Sequence, residues 1–191
     1  MARRGRVGAP GLGSVIGGKD NRDSRRGYSL RMSEFSHIDA KGRARMVDVS
    51  EKPVSRRVAE ASCRVLLSSE TVERLSDLPK GDAVTVARIA GIQGGKRVAE
   101  LIPLAHPLAP EDVEISIEPV EGGVEIRSLV VVTARTGAEM EALTACATAA
   151  LALYDMVKAV ERGAVVTDLR LDAKSGGVRG DYRRGEDGRS G

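Results

Sequence analysis

The stretch from Thr136 to Lys158, TGAEMEALTACATAALALYDMVK, decides the fold. Its length and apolar spacing predict one long helix, roughly Gly137 to Arg162, closed by Gly163. At about 100° per residue, Glu141 and Asp155 differ by only about 40° around the helix. Thr144 and Thr148 continue that side, and Lys158 follows Asp155 by one turn. Met140, Leu143, Ala147, Leu151 and Tyr154 are expected to supply much of the apolar packing. The result is a polar stripe on a helix otherwise fit for burial, and buried carboxylates demand partners. Two plainer readings stand beside this one. Thr136 and Glu139 match a capping box, and Asp155 with Lys158 matches an ordinary i, i+3 ion pair. The spacing does not choose between them.

Working outward, Val113–Ile117 and Val124–Val132 read as strands joined through Glu121-Gly122-Gly123, a hairpin signal. Val165–Leu171 alternates as a last strand, followed by a Lys174-Ser175-Gly176-Gly177 loop. Upstream, Val54, Val58, Ala61, Val65 and Leu66 give Lys52–Leu67 a helical spacing. Ser69 is read as the cap of a short helix, Glu70–Leu78, stopped by Pro79. Ala83–Ile92 (AVTVARIAGI) reads as a strand and a glycine turn, and Lys96–Leu101 as a short helix ended by Pro103. This order predicts an α+β domain, a largely antiparallel sheet with helices packed on one face.

Composition narrows the function classes. The 191 residues include no Trp, one Phe and three Tyr, so the core must be aliphatic. The proposed strands contain no aromatic residue, which argues against an RNA-recognition sheet, whose aromatics stack bases. Cys63 and Cys146 form no CxxC pair, and His37 and His106 are the only histidines, so no metal site of the Cys/His kind is expected. No uninterrupted apolar run reaches about 18 residues, and the N-terminus lacks the apolar region of a secretory signal. A reducing cytoplasm is the expected location.

The net charge of +3 is unevenly distributed. Residues 1–31 carry eight bases against two acids, a charge of +6, which leaves −3 for the rest. Residues 1–32 therefore read as a basic, disordered arm or a start-site artefact with Met32 as the true start. Residues 33–182 read as the catalytic α+β domain and 183–191 as a flexible tail.

Two further features bear on chemistry. His106, in LIPLAHPL (Leu101–Leu108), is held extended by Pro107 and offers an imidazole on a restricted loop; a hydrogen-bonded loop histidine is the plainer reading. Bases stand beside glycines at Lys80-Gly81-Asp82, Gly94-Gly95-Lys96-Arg97 and Lys174-Ser175-Gly176-Gly177, with Arg88 nearby. Glycine lets a backbone approach phosphate and the bases neutralise it, but no GxxxxGK[ST] spacing is present.

Together these segments resemble the cyclic pyranopterin monophosphate synthase family (molybdenum cofactor biosynthesis protein C). The resemblance rests on SHIDAKGRARMVDVSEKP (Ser36–Pro53), KGDAVTVARIAGIQGGKR (Lys80–Arg97), LIPLAHPL, TGAEMEALTA, LYDMVKAV (Leu153–Val160) and LDAKSGG (Leu171–Gly177). They occur in family order and cover nearly all of Ser36–Tyr182; the basic arm lies outside. Ala105 stands where some relatives have Cys.

The resemblance implies a ferredoxin-like subunit in a homo-hexamer, a trimer of dimers, with active sites at dimer interfaces. It implies a GTP-derived cyclic nucleotide triphosphate as substrate and pyrophosphate as co-product. No cofactor and no protein-bound metal are expected, Mg²⁺ with the phosphates being left open, and composition argues against a membrane or nucleic-acid partner. Asp155 and Lys158 match the family's catalytic pair, and Lys80 a further essential lysine. Leu104, Ala105, His106, Glu139, Met140 and Glu141 match substrate-contacting segments, the two glutamates facing the guanine-derived ring. Lys96, Arg97 and Lys174 are candidates for the triphosphate, with Arg88 beside them. An inactive relative that merely assembles would have no chemical need for Lys80, His106, Glu141, Asp155 and Lys158 together.

Overall fold

A computed structural model describes residues 41–178 and 180–185. The arm, His37 and the last six residues lie outside the described residues. Among the described residues five strands, β1 Ser55–Leu66, β2 Asp112–Val120, β3 Gly123–Ala134, β4 Val165–Ser175 and β5 Tyr182–Arg183, form one sheet in the order β2-β3-β1-β4-β5. Every pairing is antiparallel. Among the described residues four helices join them: α1 Ser69–Glu73, α2 Ala83–Lys96, α3 Val98–Leu101 and α4 Glu139–Val157. Without the short pieces the order is β1-α2-β2-β3-α4-β4, the split βαβ arrangement of ferredoxin-like folds.

Two segments differ from their expected type. Lys52–Leu67, expected as a helix, contains β1. Ala61 and Val65 fit both periods, but Ala59, Ala61, Cys63 and Val65 are buried while Val58, Glu60 and Arg64 alternate to the other side, which is period two. Ala83–Ile92, expected as a strand, is the body of α2. Its β-branched Val86 and Ile89 are exposed, while Ala83, Ala87, Gly91, Gly94 and Gly95 form the buried stripe. Tertiary packing overrides strand propensity here. Asp82 caps the helix by accepting from the Thr85 N–H at 3.0 Å.

Smaller differences follow the same logic. α1 is capped by Ser68 rather than Ser69 and ends at Glu73, short of Leu78. α4 begins two residues later and ends five earlier than expected. No side chain caps its start, so the Thr136/Glu139 capping box does not form. β4 runs through Ser175, so the loop starts at Gly176, and Arg183 pairs in β5. The hairpin turn of β2 and β3 is where expected, with Gly122 at φ 78.

The core lies between the sheet and α4. Ala142, Ala145, Cys146, Ala149, Ala150, Leu153, Met156 and Val157 face it from the helix. Leu151, expected to pack, is instead exposed, as is Met140. α4 is clasped on two sides, and its contact with α2 is made by small residues. α2 lies antiparallel on α4: Gly91 meets Ala145, and Gly95 meets Glu141 and Ala145. A Cβ at Gly94 would stand 2.7 Å from the Thr148 Cβ, so these glycines serve helix contact rather than phosphate approach. Cys63 Sγ and Cys146 Sγ lie 3.2 Å apart in the core as free thiols. By length and composition α4 could cross a membrane, but half of that stretch is buried within the fold, as befits a core helix.

Candidate active site

The arrangement of α4 creates two polar clusters, one at each end. Glu139 and Glu141 occupy its first turn, where the exposed N–H groups favour anions. Asp155 occupies its last turn, where a carboxylate opposes the helix dipole. The fourteen-residue rise from Glu141 to Asp155 separates the clusters by about 21 Å.

At the N-terminal end lies a cavity of about 250 Å³. Its walls come from Val47, Val49 and Lys52 before β1, Arg57 and Val58 of β1, Ala105 and His106, the Arg135–Glu141 entry to α4, and Lys174–Gly176. His106 Nε2 lies 2.8 Å from the Val47 carbonyl. A carbonyl only accepts, so this nitrogen is the donor and ties the ring to the segment before β1.

Lys174 Nζ donates to Glu139 Oε1 at 3.0 Å. Burial pushes the Glu139 carboxyl up, but Lys174, its own backbone N–H and the nearby Arg57 charge outweigh it and hold it below the usual range. Lys174 reaches this position through a register slip between Glu60 and Ala61. Opposed residues share a face, so pairing with Ala59 puts Lys174 on the helix side; without the slip, Ala173 would sit there.

Glu141 is 2% exposed. Burial drives its carboxyl up to about 7, with the charge of Glu139 adding to the rise and its own backbone N–H opposing it. It is therefore a carboxyl able to exchange a proton near neutral pH. The middle of the predicted polar stripe has a different task. Thr144 is buried, and Thr148 Oγ1 donates to the Thr144 carbonyl at 2.7 Å in the seam with α2.

At the opposite end, Asp155 accepts from Lys158 at 2.5 Å and from Lys80 at 3.0 Å. Lys80 also donates to the Asp155 carbonyl at 2.8 Å, satisfying a helix-end oxygen. Hydrogen bonds from Lys158 and then Lys80 hold the Asp155 carboxyl below its ordinary value. The side chains are roughly half exposed, so the cluster opens outward.

Other expected residues scatter. Met140 and Ala105 line the cavity, whereas Leu104 does not. Lys96 and Arg97 end α2 near the cavity but are exposed and outside its lining. Arg88 Nε donates to the Ile115 carbonyl at 3.3 Å across the α2–β2 contact. Lys52, Arg57 and Arg135 were not among the expected residues. Arg135 Nη1 donates to the Ser50 carbonyl and, at 2.6 Å, to that of Lys52, tying down the segment before β1. Arg57 was obscured because its strand read as a helix.

Both clusters fall within a stretch that is similar to known proteins. The MoaC family model matches residues 46–177, which include both. The chain belongs to the MoaC family. A cyclic pyranopterin monophosphate synthase of Streptomyces griseus is 54% identical over 163 residues, 84% of this chain and 92% of that protein. One from Parvibaculum lavamentivorans is 49% identical over 158 residues, covering 81% and 99%. Cyclic pyranopterin monophosphate synthase 3 of Mycobacterium tuberculosis is 51% identical over 154 residues, covering 78% and 86%.

Proposed function

We propose that this MoaC-family chain acts as a cytoplasmic lyase, converting (8S)-3′,8-cyclo-7,8-dihydroguanosine 5′-triphosphate to cyclic pyranopterin monophosphate and pyrophosphate. The observation that carries this reading is similarity along nearly the whole length of relatives bearing that activity in their names. The polar clusters supply chemistry suited to it. Ring opening and pyranopterin formation move protons. In closing the cyclic phosphate, a substrate hydroxyl attacks the α-phosphorus, its proton goes to a base, and pyrophosphate leaves with the electrons of the broken P–O bond.

In this reading Asp155 is the carboxylate base and anchor, and Lys158 and Lys80 are the ammonium donors around it. Glu139 and Glu141 face the guanine-derived ring as acceptors, with His106, Ala105 and Met140 as further contacts. Lys174 faces the phosphates, joined by Lys52 and Arg135; Lys96 and Arg97 extend the positive field at that end of α2. No metal or cofactor enters the proposed steps.

Two clusters about 21 Å apart on one rigid helix do not make one site for one nucleotide. A two-fold dimer brings the Lys80–Asp155–Lys158 end of one subunit to the cavity of its partner, twice per dimer. We place this dimer within a hexamer, a trimer of dimers. The test is pyrophosphate release from enzymatically prepared cyclo-dihydro-GTP. The parent should turn over, while folded Asp155→Asn should lose at least the roughly 10²-fold typical of lost acid–base catalysis. No release by the folded parent would leave a binding or assembly role as the better account.

A further inference from the structure

The Glu139–Lys174 pair joins two segments far apart in sequence, and a third residue touches the backbone beside both. Arg57 of β1 is 9% exposed. Its Nε donates to the Ala134 carbonyl at 3.1 Å and its Nη2 to the Arg135 carbonyl at 3.0 Å. These peptides lead directly into the turn before Glu139. On its other side the guanidinium lies against Gly177, where a Cβ would stand 2.8 Å from Cζ and 3.1 Å from Nη2. Gly176 passes equally close to the β1 backbone, and both glycines have positive φ, 86 and 87. The glycine pair thus lets the chain leaving Lys174 wrap onto Arg57.

We infer that Arg57 is a positioning residue for the proposed reaction: its guanidinium clasps the entry of α4 to the end of β4 and so sets the Glu139–Lys174 pair. The inference rests on the function proposed above. A guanidinium suits the task because its planar fork directs separate N–H groups at two carbonyls while its face packs on a glycine backbone. Lysine would keep the charge and lose the fork. Arg57 acts through Glu139 and Lys174, so its loss should disturb substrate binding before chemistry at Asp155.

The experiment compares steady-state pyrophosphate release by the parent, Arg57→Lys, Lys174→Ala and the double variant. Arg57→Lys should raise KM about tenfold or more with kcat within threefold, since a small misplacement of binding groups is costly. In the Lys174→Ala background the same change should add little, because the pair it positions is already gone. An unchanged KM, or full multiplication of the two effects, overturns the inference. Gly177→Ala approaches the clasp from the exposed loop and should give the same KM-selective defect, so a poorly folding Arg57→Lys does not shield the proposal. A crystal structure of either clasp variant should show the Lys174–Glu139 contact opened beyond hydrogen-bonding distance; an intact contact refutes the clasp. That readout is independent of turnover, whereas an inactive parent would refute the functional reading instead.

Discussion

Mixing two inactive subunits should regenerate activity. Asp155→Asn damages the cluster at one end of α4, and Glu141→Gln damages the cavity at the other, about 21 Å away. Each variant alone should retain at most about 1% of parental turnover, the scale of lost acid–base catalysis. If each site draws one cluster from each subunit, a mixed dimer contains one fully parental site and one carrying both lesions. Random equal assembly makes half the dimers mixed, and each has half its sites intact, so the population should recover about a quarter of parental turnover. Co-expression with different affinity tags and native mass spectrometry would establish the mixed composition, and pyrophosphate release would report turnover. Demonstrably mixed oligomers that stay near 1% would refute the shared site, because a site built within one subunit always carries its lesion.

Two stability predictions follow from the core. Glu141 binds its proton more tightly when folded, with a value of about 7 against 4.5 for the unconstrained group. The folded state therefore holds more protons than the unfolded state between these values. Its stabilising contribution is fully present below about pH 4.5 and declines up to about pH 7. Ionising it costs up to about 3 kcal/mol, so urea titrations should show Glu141→Gln gaining on the parent at pH 8 but not at pH 4.5. Gly94→Ala should destabilise by about 1–3 kcal/mol through overpacking against Thr148, and Thr148→Ala should recover part of that loss. Additive losses in chemical denaturation would contradict the contact.

The hairpin, long helix and last strand were legible because each carried a sustained period and ended at turn residues. β1 was not, because Val58, Ala61 and Val65 satisfy the helical period, and the residues that decide for a strand are small, Ala59 and Cys63. α2 was misread because its β-branched residues are prominent in sequence yet lie on its exposed side, while its buried stripe is glycine and alanine. Hydrophobicity patterns weigh size, whereas this helix pair packs by the absence of size. The clusters were legible as residue types, but the meeting of Lys80 with Asp155 and Lys158 depends on the packing of distant segments. Lys174 depends on a register slip, and Arg57 on carbonyls nearly eighty residues away. Neither dependence leaves a local pattern.

The close fit of α2 and α4 also bears on catalysis. Gly91, Gly94 and Gly95 in a helix each sacrifice roughly 0.5–1 kcal/mol relative to alanine, an unfavourable choice unless close approach offsets it. The close approach fixes α2 against α4, which brings Lys80, just before α2, to Asp155 at one end of α4. The same antiparallel pair delivers α3 and the His106 loop to the other end, beside Glu141. One interface of small residues therefore aligns both clusters at once. In the proposed two-fold dimer, an error in that alignment would appear in both sites, since each site takes one end from each subunit. Substitutions in the glycine stripe should thus impair turnover even where the fold survives, although none of these glycines lines the cavity.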